Sequence, residues 1–173
     1  LGAWTADDFW RALHNGRSRD GRFLYPAFPY PDYTQVTRTD SDALFAYLRS
    51  LAPVRQTNPT HQLRFPYNTQ AALMLWRALY FRPGGFTPAT DQSAQWNRGS
   101  YLVNGLGHCD ACHAPRNALG ATRTEAGLSG GLIPVQQWYA PSLRSAAEAG
   151  LGAWTVPDIV SLLGTGKTAH ASV

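Results

Sequence analysis

The feature that most constrains this chain is a run of five residues, Cys109-Asp110-Ala111-Cys112-His113, which contains both of its cysteines. Two cysteines separated by two residues and followed at once by histidine match the attachment motif of a c-type haem. In such a site each thiol adds across one vinyl group of the porphyrin, and the following imidazole binds the iron. The motif therefore predicts one covalent haem c held by Cys109 and Cys112, with His113 as the proximal iron ligand.

A bare pair of cysteines has other interpretations. It can form a disulfide, act as a redox pair, or supply half of a zinc site. The zinc interpretation lacks a second cysteine pair, because the chain has only 2 cysteines. A thioredoxin-like redox motif requires a preceding strand, whereas the stretch before Cys109 has helical periodicity. These alternatives remain open, and haem attachment is favoured over them.

Length, composition and charge limit the possible functions. The 173 residues suffice for one domain or two small ones, and 44% of them are hydrophobic. No apolar run is long enough to span a bilayer. The formal net charge of +4 comes from scattered arginines, so a nucleic-acid partner is not predicted. No nucleophile–base pair, phosphate-binding glycine loop or carboxylate dyad is visible, and we therefore expect electron transfer rather than conversion of a substrate.

An internal repeat links the two ends of the chain. The sequence Leu1-Gly2-Ala3-Trp4-Thr5 recurs as Leu151-Gly152-Ala153-Trp154-Thr155. The correspondence continues from Asp8 to Asp158 and from Gly16 to Gly166. A constant offset of this kind indicates two copies of one module. We expect the chain to open late in one copy and to stop within the next, as an internal piece of a longer protein would.

Apolar periodicity predicts helices over residues 5–15, 39–51, 69–81, 93–106 and 155–164. Thr5 and Ser93 are predicted N-caps, and Thr39 with Asp42 is predicted to form a capping box. Helix 69–81 is apolar almost all round, so we expect it to be buried between modules. Prolines predict an extended loop without helix over 22–34, and glycines predict a long loop over 114–140. His14 and His61 are expected to be solvated residues rather than ligands.

Several further stretches strengthen the haem interpretation. With them the sequence resembles the multihaem cytochrome c subunits of periplasmic dehydrogenases that act on alcohols or gluconate, and of molybdenum hydroxylases of the nicotinate or isoquinoline type. The resemblance covers essentially the whole chain. Its carriers are Tyr25-Pro26-Ala27-Phe28-Pro29-Tyr30, Phe65-Pro66-Tyr67-Asn68, Trp96-Asn97-Arg98-Gly99, Gly107-His108-Cys109 through Arg116-Asn117, and Trp138-Tyr139-Ala140-Pro141.

The resemblance implies an all-α, class I cytochrome c-like fold. Residues 1–53 would be the C-terminal part of a first module, 54–92 a connector, and 93–173 a second module truncated at its C-terminus. It implies one-electron transfer from a dehydrogenase subunit toward a neighbouring haem module or terminal acceptor of the respiratory chain. The periplasm is the expected location, because c-type haem is attached there, and any membrane anchor would lie outside this chain.

The resemblance also implies roles for further residues. The Pro141 carbonyl is the expected acceptor for the second ring nitrogen of His113, and Tyr139 is expected beside the haem. Arg116 is a candidate for contacting a propionate, with a solvated arginine as the equal alternative.

The sixth iron ligand is not assigned. Phe28 occupies the position where relatives carry a methionine in the first copy, and Phe cannot bind iron. For the second copy, a methionine beyond the given sequence is favoured, with Met74, His170 or another histidine as substitutes. An open sixth position is the remaining case, and it would suit a haem enzyme or a ligand sensor instead.

Overall fold

The computed structural model describes residues 1–57, 59–133, 137–145 and 150–167. It divides into two compact units, Leu1–Ala111 and Cys112–Val173. The helices are α1 (Ala6–Asn15), α2 (Tyr30–Tyr33), α3 (Arg38–Ser50), α4 (Gln70–Tyr80), α5 (Ala94–Tyr101), α6 (Asp110–His113) and α7 (Val156–Thr165). A π-helix, Leu102–Leu106, continues α5, and a 3-10 turn spans Thr124–Ala126. The strands are β1 (Gly131–Ile133) and β2 (Trp138–Ala140).

The ends of α1 follow from its sequence. The Thr5 side chain accepts a hydrogen bond from the Asp8 N–H, and the Asp8 carboxylate accepts one from the Thr5 N–H, which completes a capping box. Gly16 ends the helix in the left-handed conformation, φ +56°. A Cβ on Gly16 would lie 2.5 Å from the Tyr30 ring, so glycine is also required here by close packing.

The core of the first unit forms where α1, α2 and α4 meet. Tyr30 is fully buried, and its ring packs edge-on against Phe81 at 4.9 Å between centroids. The Arg77 guanidinium from α4 lies over three rings, at 4.8 Å from Phe23, 4.9 Å from Tyr30 and 4.6 Å from Phe81. Each contact is a cation–π attraction in a desolvated setting, so this arginine holds the loop and helices together.

Two local expectations for the first unit are wrong. Helix α2 lies inside the segment expected to lack helix, and it forms because Pro31 sits in the first turn, where proline loses no hydrogen bond. Helix α3 begins two residues before the predicted capping box, since Thr37 caps it by accepting from the Asp40 N–H. Within this chain helix α4 buries only Leu73, while other apolar side chains on it are 55–62% exposed: Met74, Leu75 and Leu79. Its burial between modules stays a prediction.

The second unit has a small sheet that was not expected from its glycine-rich sequence. Strands β1 and β2 pair antiparallel, with Gly131 opposite Ala140, Leu132 opposite Tyr139 and Ile133 opposite Trp138. The expectation of an all-α chain is therefore corrected to a predominantly helical chain with one two-stranded sheet. The reason is pairing between short segments, which has no period long enough to be visible in sequence.

Helix α7 repeats the ends of α1. Thr155 and Asp158 form a capping box, and Gly166 ends the helix with φ +72°. The surroundings differ, however. Leu13 in α1 is 5% exposed, whereas its repeat partner Leu163 is 83% exposed. Within the described ranges, no helix of either unit is long and apolar enough to cross a membrane.

Candidate functional site

A π-helical turn carries the chain from α5 into the cysteine motif. At the end of this turn the Gly107 N–H donates to the Leu102 carbonyl at 2.6 Å, and the Cys109 N–H donates to the Val103 carbonyl at 3.1 Å. A Cβ on Gly107 would lie 2.7 Å from the Leu102 oxygen and 3.4 Å from the Cys109 sulfur. Only glycine fits this close approach, and the resulting turn fixes the backbone at Cys109.

His108 stands immediately before the first cysteine. Its backbone has φ +38°, and its ring packs edge-on against Tyr33 at 5.2 Å. Tyr33 in turn contacts Phe28, with 5.4 Å between ring centroids. Burial, followed by the charge of Asp32, raises the pKa of Tyr33, so this phenol stays neutral at ordinary pH. The predicted methionine-equivalent position, Phe28, therefore lies in an aromatic cluster that reaches the motif.

The cysteine motif itself contains the division between the two units. Cys109 belongs to the first unit and is partly exposed. Cys112 is the first residue of the second unit and is exposed. Neither of these two described cysteines forms a disulfide. In the described ranges there is also no group of three or more His, Cys, Asp or Glu side chains arranged to hold a metal ion.

His113 and Pro141 are brought together in the second unit. The His113 Nδ1 lies 2.7 Å from the Pro141 carbonyl oxygen. A carbonyl oxygen only accepts hydrogen bonds, so the Nδ1–H must be the donor. The proton on Nδ1 leaves the lone pair on Nε2, which is the nitrogen available for a metal. The imidazole is thus held in a single tautomer that suits a ligand role.

The β1–β2 hairpin holds the backbone near both His113 and Pro141. The Gly130 N–H donates to the His113 carbonyl at 2.7 Å, and the segment after Pro141 is tied down by the Leu143 N–H, which donates to the Leu128 carbonyl at 2.9 Å. Strand β2 ends at Ala140, directly before Pro141. The backbone around the imidazole and the backbone that supplies its acceptor are therefore connected through one short sheet.

The other predicted site residues lie in other parts of the chain. Arg116 Nη1 donates to the Gly120 carbonyl at 2.9 Å, so its guanidinium is anchored on its own loop. Tyr139 on β2 is 67% exposed, and its hydroxyl lies over Gly130. Met74 lies in the first unit and is 58% exposed, and His170 lies outside the described residues. The sixth ligand thus stays a prediction.

The glycines of this region were not predicted as site residues. A Cβ on Gly131 would lie 2.3 Å from the Ala114 oxygen, and a Cβ on Gly130 would lie 2.7 Å from the Tyr139 hydroxyl. The adjacent glycines at 130 and 131 were the available signal, because paired glycines mark a close backbone approach. The segment that they approach is determined by the tertiary structure, and the local sequence does not predict it.

Similarity to known proteins agrees with the haem motif. No family model matches the chain. It is 44% identical over 167 residues to a subunit of the nicotinate dehydrogenase of Pseudomonas putida, and the match covers 96% of this chain and 14% of that protein. It is 38% identical over 183 residues to the cytochrome c subunit of the quinone alcohol dehydrogenase of Gluconobacter oxydans, with 100% and 38% covered. A diheme cytochrome c-type protein of Cereibacter sphaeroides is 36% identical over 168 residues, with 97% and 55% covered. The chain thus spans from about a seventh to about half of these relatives.

Proposed function

Because this chain is homologous over essentially its whole length to cytochrome subunits of dehydrogenases, we propose that it transfers single electrons through one covalent haem c. Cys109 and Cys112 would form the thioether bonds, and His113 would bind the iron. The haem, when bound, supplies the one-electron chemistry. The observation that carries the proposal is the 2.7 Å contact from His113 Nδ1 to the Pro141 carbonyl.

That hydrogen bond does two things for a ligand histidine. It fixes the tautomer, so that Nε2 is unprotonated before any iron approaches. It also makes the imidazole a stronger electron donor, because a carbonyl that accepts from Nδ1–H leaves more negative charge on the ring. A structural histidine would gain no function from this polarisation, whereas an iron ligand would use it to set the reduction potential.

The packing of the second unit fits a large apolar cofactor. Every residue described there as buried is an alanine or a glycine: Ala114, Ala121, Gly130, Gly131 and Ala140. Larger apolar side chains remain at the surface, including Leu132 at 60%, Trp138 at 70% and Leu163 at 83% exposure. A compact unit normally buries its large aliphatic and aromatic groups. A porphyrin enclosed by these side chains would supply the missing apolar interior.

The proposed setting follows the relatives. The electron donor would be a dehydrogenase subunit, and the acceptor would be a neighbouring haem module or a terminal acceptor of the respiratory chain. The fold would be of the cytochrome c type, with 1–53 ending a first module, 54–92 connecting, and 93–173 belonging to a second. The periplasm would be the location. Arg116 would contact a propionate and Tyr139 the edge of the ring.

The test is covalent haem on the expressed chain. In cells equipped for c-type haem maturation, the intact mass should rise by one haem, and the bound pigment should resist acid–acetone extraction. Cys109→Ser with Cys112→Ser should remove all of it. His113→Ala should change the haem absorption spectrum, while His61→Ala, at an exposed histidine, should leave it unchanged. A wild-type chain without covalent porphyrin would refute the proposal.

The state of the sixth iron position decides between an electron carrier and a gas-binding or enzymatic haem. A low-spin reduced protein that binds carbon monoxide slowly supports electron transfer, because both axial positions are then filled. Ready binding of carbon monoxide by the protein purified from its natural source would instead favour a haem enzyme or a ligand sensor. A methionine-to-iron band in this polypeptide would identify Met74, since the chain has only 1 methionine.

A further inference from the structure

The two glycines that open the hairpin hold the segment on both sides of the candidate iron ligand. Gly130, with φ +89°, points its N–H at the His113 carbonyl, at a donor–acceptor distance of 2.7 Å. Gly131 lies against the next peptide, where a Cβ would stand 2.3 Å from the Ala114 oxygen and 2.8 Å from its carbonyl carbon. Both glycines are buried, and Ala114 is 1% exposed, so the contact is closed to solvent.

The same glycine also reaches the acceptor. Gly131 pairs with Ala140 across the sheet, and Ala140 is bonded to Pro141, whose carbonyl accepts from the imidazole. One residue therefore touches the backbone that follows His113 and the backbone that precedes the acceptor.

We propose that Gly131 is a positioning residue that sets the His113–Pro141 hydrogen bond and, through it, the reduction potential of the haem. The inference rests on the proposed function and adds a determinant of its potential. The absent side chain of Gly131 lets the hairpin sit about 1 Å closer to Ala114 than any other residue allows. Gly130 assists from the other side by holding the His113 carbonyl.

The direction of the effect follows from the ligand chemistry. A short Nδ1–H to carbonyl bond makes the imidazole more electron-rich, which favours ferric over ferrous iron and lowers the potential. A side chain at position 131 has to push the hairpin away, because the Ala114 carbonyl is backbone and cannot rotate aside. The hydrogen bond then lengthens, the ligand becomes a weaker donor, and the potential rises.

The experiment compares three variants of the haem-bearing chain. Gly131→Ala introduces the severe contact. Gly130→Ala is milder in contact, because its Cβ would meet the movable Tyr139 hydroxyl at 2.7 Å and backbone atoms only at 3.0 Å, but it also strains the backbone, since Gly130 has φ +89°. Gly164→Ala is the matched control, since a Cβ at Gly164 meets nothing within 4 Å and the residue also belongs to the second unit.

Covalent haem content is measured first, by mass and by the pyridine haemochrome spectrum. The reduction potential is then recorded, together with the iron–histidine stretching frequency of the five-coordinate ferrous form. We expect Gly131→Ala to raise the potential and lower the stretching frequency, Gly130→Ala to do so less, and Gly164→Ala to match wild type. If Gly131→Ala carries no haem, the comparison of Gly130→Ala with Gly164→Ala decides.

Two failures are distinguishable. A wild-type chain without haem refutes the proposed function itself. A wild-type chain with haem, together with potentials and stretching frequencies in the position-130 and position-131 variants equal to those of Gly164→Ala, refutes the positioning role and leaves the proposed function intact.

Discussion

Tyr101 connects the approach to the cysteine motif with the start of α3, and its hydroxyl offers a sharp test of that connection. The residue is 3% exposed and ends α5. Its hydroxyl donates to Asp40 Oδ2 at 2.5 Å and accepts from the Thr37 N–H at 3.0 Å. Tyr101→Phe keeps the ring, which packs against Phe86 at 5.3 Å, and removes only these two hydrogen bonds.

The expected cost follows from the partners. A hydrogen bond to a charged group contributes about 1.5–3 kcal/mol and a neutral one about 0.5–1.5 kcal/mol. Both partners regain water when the hydroxyl is lost, because Thr37 is exposed and the Asp40 side chain is 35% exposed. We therefore expect the lower end of their summed contribution, a loss of about 2 kcal/mol in the free energy of unfolding.

The pH dependence gives a second signature. Burial, and then the hydrogen bond with Asp40, raises the pKa of Tyr101 above the model-peptide value of 10.0. A raised folded-state pKa stabilises the fold fully below pH 10, and this contribution is lost as pH rises through the folded-state pKa. The stability difference between wild type and Tyr101→Phe should accordingly be constant near neutral pH and narrow above pH 10.

Urea unfolding followed by circular dichroism measures both quantities, and Tyr47→Phe provides the control because that side chain is 62% exposed. A Tyr101→Phe variant as stable as Tyr47→Phe at neutral pH would show that the hydroxyl is not holding the start of α3. A difference that does not narrow in alkali would show that ionisation of Tyr101 is not coupled to folding.

Three further outcomes are expected. Arg77→Met should lower the free energy of unfolding by about 1–2 kcal/mol, since the guanidinium lies over three rings in a desolvated core, whereas Arg64→Met, at an exposed arginine, should change it little; urea unfolding compares them. Thr155→Ala should destabilise α7 by about 1 kcal/mol, seen as faster amide exchange in its first turn, because its capping box is lost; unchanged exchange would contradict the cap. Ser18→Ala should raise the pKa of Asp20 from about 2 toward 3.8, because the Ser18 hydroxyl is the main group that favours the ionised carboxylate. Carbon-13 NMR titration of the carboxylate measures this pKa, and a value that stays near 2 would assign the lowered pKa to Arg22 instead.

Local chemistry made part of the structure predictable. The caps at Thr5 and Ser93 are where the sequence predicts them, because each depends on groups within a few residues. The cysteine motif was recognisable for the same reason. Its order of side chains predicts haem attachment, and that prediction needs no information from the rest of the chain.

The start of α3 shows where local information ends. Thr37 and Thr39 are each followed three residues later by an aspartate, so both satisfy the capping pattern. In the structure Thr37 is the N-cap of α3. Tyr101 accounts for this, because its hydroxyl accepts a hydrogen bond from the Thr37 N–H and donates one to the Asp40 carboxylate. That contact joins residues more than sixty positions apart, and propensity rules do not contain it.

The hairpin beside His113 was missed for a related reason. Its strands have three residues each, too few for an alternating pattern to be read. What places them is the close approach of Gly131 to Ala114. The all-round apolar character of α4 indicates that the helix can be buried, but composition does not show which of its faces is covered within this chain.

Helices α1 and α7 are the two copies of one repeated helix, and they differ in how far their apolar side chains are buried. Their start and stop residues coincide under the repeat, while Leu13 is enclosed and Leu163 is open to water. A repeated helix can therefore differ in its packing while it begins and ends at the same positions, because the residues that cap the helix are not the ones that pack against other elements.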